Sequence, residues 1–325
     1  MREAHFIDKN KTKWLDIEKN LKNKSKTHPD ILSNNYIEII NDLAYAQTYY
    51  PKSKTKDYLN ELALFAHQSI YKDKKLDKNQ LLEFILYKVP KAVYQNRKML
   101  LFSFIVFSFF TLIGLLSSIY DLNFVRQILG DEYVEMSLAN IKKGDPAAVY
   151  KGGNEFGSAL GITINNIQVA FYAFTLGIFF SIGTGYILMS NGIMLGAFHY
   201  MFLKEGVLGK AMTGIWIHGT IEISVIIIAG ACGFILGNSF MFPGTLSRKE
   251  NLILKTKEAI TILLSTIPFF ILAGLLEGFI SRLYDLNLII SLAIILASAT
   301  LILFYYVIFP YQQAKKYQWT TKTLS

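Results

Sequence analysis

Residues 99–119 read MLLFSFIVFSFFTLIGLLSSI, without one charged side chain. At about 1.5 Å of rise per residue, a helix of this length matches a hydrocarbon core about 30 Å thick. In that solvent every backbone amide must find its partner inside the helix. Four more stretches satisfy the same arithmetic: Gln168 to Ser190, Ile215 to Gly237, Ala259 to Ile280 and Leu288 to Phe309. Gly192 to Leu203 is about half a span. The sequence therefore predicts an all-α, polytopic membrane protein of about six transmembrane helices, preceded by a soluble helical domain.

The 325 residues carry a net charge of +9 and are 52% hydrophobic, and both averages hide a change near residue 98. Up to Lys98 there are 19 Lys/Arg against 12 Asp/Glu, which leaves +7 of the excess in the N-terminal part. Beyond it, the acids inside the apolar runs are Glu222 and Glu277. The expected division is a basic cytoplasmic helical domain at 1–98, a transmembrane domain at 99–310 with an outer loop at 120–166, and a cytoplasmic tail at 311–325. The N-terminus lacks the apolar stretch of a signal peptide, so the first span is read as an uncleaved insertion signal.

Charge flanks set the orientation. Lys88, Lys91, Arg97 and Lys98 precede the first span, Arg248, Lys249, Lys255 and Lys257 follow the 215–237 run, and Lys315 and Lys316 end the last. Placing all three clusters in the cytoplasm requires an even number of crossings between Lys98 and Arg248. Gly192 to Leu203 must then cross as well, with a re-entrant segment as the alternative. Tyr120 to Asn165, with six acids and four bases, lies outside. Its apolar positions at Leu122–Ile128, Tyr133–Ile141 and Phe156–Ile164 have helical spacing, as expected for helices lying along the outer surface.

In the N-terminal part, turn signals at 27–30, 50–53 and 72–75 separate three or four amphipathic helices. Phe6, Trp14, Leu15, Ile39, Leu43, Leu62, Phe65, Leu82 and Phe84 are their expected core. The basic face fits anionic lipid, since bases beside a span gain about 1 kcal/mol each. No nucleic-acid module accompanies it, and no nucleic-acid partner is expected.

An internal similarity links Phe109-Phe110-Thr111-Leu112-Ile113-Gly114-Leu115-Leu116 to Phe269-Phe270-Ile271-Leu272-Ala273-Gly274-Leu275-Leu276, six of eight positions being identical. Tyr120-Asp121-Leu122-Asn123 recurs as Tyr284-Asp285-Leu286-Asn287. A parallel duplication and chance self-similarity of apolar sequence both account for it.

The chemistry concentrates in 215–237. His218 and Glu222 are four apart and share a helix face. At 100° per residue, Ala229 and Gly233 fall within about 20° of Glu222, and Gly237 about 60° away, so the polar pair lies on a seam of small residues with Gly230 nearby. Gly177, Ser181 and Gly185 form a similar strip, the expected partner of that seam. An ionisable group in hydrocarbon costs roughly 2.5–3.5 kcal/mol on insertion scales, so it faces protein or water and has a partner. Glu277, Asn165 and Asn166 fall at the same depth. A polar cluster of His218, Glu222, Glu277, Asn165 and Asn166 toward the outer leaflet follows. It serves either as interhelical hydrogen bonds or as a site for a proton, ion or solute.

Catalysis is not expected. A zinc protease of the HExxH kind needs paired histidines, and HxxxE offers one. His199 lies on another segment, the single Cys232 assembles no metal set, and nucleophile elbows and phosphate loops are absent. No metal and no cofactor are assigned.

Asn165-Asn166, Gly177, Gly183, Asn191-Gly192, Gly196, His218-Gly219, Glu222, Gly230, Gly233 and Gly237, in this order and spacing, resemble the stage II sporulation protein M family over roughly Leu100 to Pro310. Ile217 stands where the family commonly has proline. The N-terminal domain resembles the cytoplasmic extension of bacterial members outside the spore formers. The resemblance implies a non-catalytic component or scaffold of a cell-envelope machine in the bacterial inner membrane, and the charge flanks place both termini in the cytoplasm. The resemblance further implies membrane or envelope partners, such as a MoxR-type AAA+ ATPase or wall hydrolases; a homo-oligomer is expected as well. A transporter or channel-like protein is the alternative.

Overall fold

The computed structural model describes residues 2–22, 29–71, 78–144, 155–281 and 287–319, all of them helical or in short connections. The chain divides into two compact units, Met1–Leu81 and Leu82–Ser325.

The first unit is built from α1 (Glu3–Lys22), α2 (Pro29–Tyr49) and α3 (Lys54–Tyr71). Pro29 starts α2, where its missing N–H costs nothing. Ser53 caps α3 by accepting from the Lys56 amide. Phe6, Trp14, Ile17, Leu21, Ile39, Leu43, Leu59 and Leu62 close a core at helical spacings. Trp14, 3% exposed, keeps its indole N–H satisfied by donating to Asp42 Oδ2 at 2.8 Å. Two residues expected in this core are not in it: Leu15 and Phe65 are exposed, each one position off the buried stripe. Residues 23–28 and 72–77, with the turn signals on them, lie outside the described residues.

The second unit begins before the first apolar run. α4 (Lys78–Glu83), a π turn at Phe84–Lys88 and α5 (Val89–Gln95) lead into α6 (Arg97–Tyr120). Val89, Ala92 and Val93 are buried with Ile235, Ala259, Ile262 and Tyr306, and Phe84 packs against the same cluster. Leu82 is exposed. The composition change near residue 98 marks the edge of the apolar solvent, whereas packing starts sixteen residues earlier, because aliphatic faces at 84–93 already have partners in the bundle.

Five helical stretches of the described residues are long and apolar enough to cross a membrane: Arg97–Tyr120, Ile182–Lys204, Leu208–Met241, Arg248–Ile280 and Leu288–Tyr317. α9 (Glu155–Thr175), less apolar because of Asn165, Asn166 and Gln168, packs among them. α10 (Ile182–Lys204) and α11 (Leu208–Met241) follow; then come α12 (Arg248–Ser265) and α13 (Ile267–Leu275), and α14 (Leu288–Leu303) and α15 (Phe309–Tyr317) end the chain. The residue pairs in contact show that the helices alternate in direction. Ser103 of α6 meets Ile227, Thr184 of α10 meets Ala173, Asn251 of α12 meets Ser239, and Ser265 meets Tyr306.

The alternation corrects one expectation. Gln168 to Ser190 is not a single span: a 3₁₀ turn at Leu176–Ile178 and left-handed Phe180 (φ 52°) and Ser181 (φ 66°) reverse the chain. Asn191–Gly192 lies in the middle of α10, and the segment read as half a span belongs to a helix of 23 residues. Of the six crossings expected from the charge flanks, five are helices long and apolar enough to span among the described residues, and α9 is a sixth, less apolar helix packed with them. Composition could not show the reversal, because Phe179, Phe180 and Ile182 keep the turn itself apolar although it is exposed. The Ser181 amide donates to the Gly177 carbonyl at 2.9 Å and holds the turn.

All three basic clusters lie at the end of the bundle that carries this turn. The Arg97 guanidinium sits 4.4 Å from the centre of the Tyr94 ring and 5.9 Å from that of Tyr311, while Arg248 stacks on Phe240, itself against Phe180. At the opposite end α7 (Leu122–Leu129) and α8 (Asp131–Lys142) pack Val125 and Val134 onto Met201, Phe202, Ala211 and Ile215. Arg126 pairs with Asp131 and Glu135, at 3.0 and 2.6 Å, across the outer face of the α7–α8 corner. Phe156–Ile164 is not a third surface helix but the start of α9. In the repeat, 109–116 lies in α6 and 269–276 in α13 and the turn after it, while Tyr284, Asp285 and Leu286 lie outside the described residues.

Candidate functional site: a buried polar cluster

α11 is the axis of the bundle, and glycine lets its neighbours approach it. Gly177 rests on the Gly233 backbone, and Gly237 meets the Gly177 carbonyl and Ser181. A methyl at Gly233 would overlap the Ala173 carbonyl and the Thr184 side chain. The two predicted strips are therefore partners up to Ser181, where α9 has ended. Gly185, the third residue of the strip, faces open space on α10 and takes no part. Gly230 turns elsewhere, to Leu188 and to Ser103 of α6.

With α9 and α11 parallel and in backbone contact, one register brings Asn166 level with Glu222, and Asn166 Nδ2 donates to Glu222 Oε1 at 2.5 Å. Asn165, 100° round the helix, is exposed and does not belong to the cluster as expected. The third contribution comes from the helix after α12. Thr266 and Pro268 interrupt it, and a π turn at Leu276–Ile280 inserts one extra residue per turn, closed by the Ser281 amide on the Leu276 carbonyl at 2.8 Å. Glu277 and Ser281 both turn inward, 5% and 3% exposed. His218, 3% exposed, shares a hydrogen bond between Nδ1 and Ser281 Oγ at 2.8 Å and presents Nε2 to Glu277 Oε1 at 3.9 Å.

Four of the five residues read from the sequence thus meet, and Ser281 joins them. Nothing at sequence level marked Ser281, because the π turn that carries it inward has no composition signal. One donor atom each from His218, Glu222 and Glu277 falls within 4.8 Å of the others. The sequence reading grouped these three and assigned no metal, because HxxxE lacks the second histidine of HExxH; the fold brings one donor atom of each together. His199 does not join: its Nε2 accepts from the Trp216 indole at 3.1 Å and its Nδ1 pairs with the Leu195 carbonyl at 2.7 Å.

Beside the cluster is a cavity of about 320 Å³. His218, Gly219 and Glu222 form one wall, with Ile128, Leu129 and Tyr133 of the outer helices as the roof. The amphipathic segments after the first span do cover the polar residues.

Residues 103–282 match the stage II sporulation protein M family. Residues 4–72, in the first unit, match a family described as a domain of unknown function, DUF8413. An uncharacterized protein of the archaeon Methanocaldococcus jannaschii is 25% identical over 203 residues, 61% of this chain and 88% of that protein. No solved structure matches the chain. The family match spans more than half of the sequence and contains His218, Glu222 and Glu277, and the chain belongs to the stage II sporulation protein M family.

Proposed function

We propose that this chain is a non-catalytic scaffold of a cell-envelope machine, seated in the cytoplasmic membrane with its basic end and both termini inside. The observation that carries this reading is the closure of the bundle on the basic side of the cluster. Gly177 on Gly233, and Gly237 on Ser181, are contacts of backbone with backbone or with a short side chain, and they leave no side chain there to swing as a gate. Such a joint fixes α9, α10 and α11 in one arrangement, as a protein needs if it holds partners at the two membrane surfaces. The partners expected are envelope proteins, an AAA+ ATPase on the basic side or wall hydrolases on the other, with self-association into a homo-oligomer.

A second reading, solute or ion translocation, is favoured by the cavity that reaches His218 and Glu222. Gentle detergent purification with mass spectrometry of co-purifying proteins separates the two. Recovery of an ATPase or wall hydrolase that survives Glu222→Gln supports the scaffold. A lone symmetric oligomer that moves an ion across vesicles, and loses flux with Glu222→Gln, overturns it.

A further inference from the structure

From this cluster we infer that His218, Glu222 and Glu277 form a binding site for one divalent first-row transition ion, of which Zn²⁺ is the representative. The inference goes beyond the scaffold role and does not depend on it.

The donor set comes first. One imidazole and two carboxylates suit zinc and its neighbours, whereas calcium and magnesium sites are built from oxygen alone. Donors 2.0–2.2 Å from one tetrahedral ion stand about 3.3–3.6 Å apart. His218 Nε2 and Glu277 Oε1 are 3.9 Å apart, a few tenths of an ångström beyond that spacing, and the whole trio lies within 4.8 Å. Small torsions of the two glutamates close the remainder.

The outer contacts are those a metal site requires. A ligating histidine has its second ring nitrogen fixed by a partner, and a ligating carboxylate is held by a hydrogen bond. Ser281 Oγ stands 2.8 Å from His218 Nδ1, which directs Nε2 inward, and Asn166 Nδ2 holds Glu222. The three donors come from α11 and from the π turn after α13, so an ion would tie these two elements together, with α9 attached through the Asn166 carboxamide on Glu222.

The cavity wall formed by His218 and Glu222 leaves space for a fourth, solvent-derived ligand, as in three-residue zinc sites.

The test uses the full chain, purified in mild detergent with its affinity tag removed, and titrated with Zn²⁺ and with Co²⁺ as a visible-absorption probe. One equivalent per chain is expected, with cobalt d–d bands of a four- or five-coordinate ion. Ser281→Ala should weaken binding about 10- to 100-fold, and Glu277→Gln and His218→Ala by more. His67→Ala, in the N-terminal unit, should leave it unchanged. Absence of a stoichiometric site in the wild-type chain overturns the inference whether or not any variant folds. So does an ion retained at full affinity by folded Glu277→Gln.

Discussion

Gly177→Ala isolates the contact on which the arrangement of α9 and α11 depends. The new methyl would stand 2.7 Å from Gly233 Cα and 2.6 Å from its carbonyl carbon, where ordinary contact begins at 3.4 Å. The atoms it meets belong to a helix backbone and cannot rotate away, so the helices must part by at least about 0.8 Å. Overpacking of this kind costs about 1–3 kcal/mol. The same displacement stretches the Asn166–Glu222 hydrogen bond, worth about 0.6–1.7 kcal/mol between membrane helices. The total is about 2–5 kcal/mol. Gly185→Ala is the matched control, since a methyl there meets nothing and helix propensity returns up to about 1 kcal/mol. Reversible unfolding in mixed micelles measures both. A Gly177→Ala chain as stable as Gly185→Ala would refute the close approach of α9 and α11.

Three further outcomes follow from single contacts. Tyr306→Phe removes the hydroxyl that shares a hydrogen bond with Ser265 Oγ, 2.8 Å away, and should cost about 0.6–1.7 kcal/mol in the same assay, with Ser265→Ala adding less than its own single-variant cost. In the N-terminal unit, Trp14→Phe deprives Asp42 of a donor at 2.8 Å and should lower stability by about 1.5–3 kcal/mol, read as faster proteolysis within residues 1–81 of the full chain. Gly230→Ala meets the flexible end of Leu188 at 2.7 Å, and unfolding should show it less destabilised than Gly233→Ala, which meets the Ala173 carbonyl.

What the sequence made legible was set by whether a signal depends on composition or on backbone path. Apolar length and basic flanks gave an even number of crossings because both are counted along the chain. The seams at Gly177, Gly233 and Gly237, and the inward face of His218 and Glu222, followed from helical periodicity, which holds as long as the helix does. Where the path departs from a regular helix, periodicity fails. Gly185 was assigned to the seam by extrapolating α9 through a turn that reverses the chain. Ser281 was missed because a π turn shifts its face. Asn165 was grouped with Asn166 on depth alone, although adjacent residues point 100° apart.

The site exists only if α9 and α10 both cross the membrane, and labelling of single cysteines from each side measures this directly. In a Cys232→Ala background, Phe180→Cys and Lys249→Cys should react with an impermeant maleimide from one side, and Glu205→Cys from the other. If residues 168–190 were instead one continuous helix, position 180 would lie in mid-bilayer and stay protected from both sides. That result would contradict the fold and the cluster built on it.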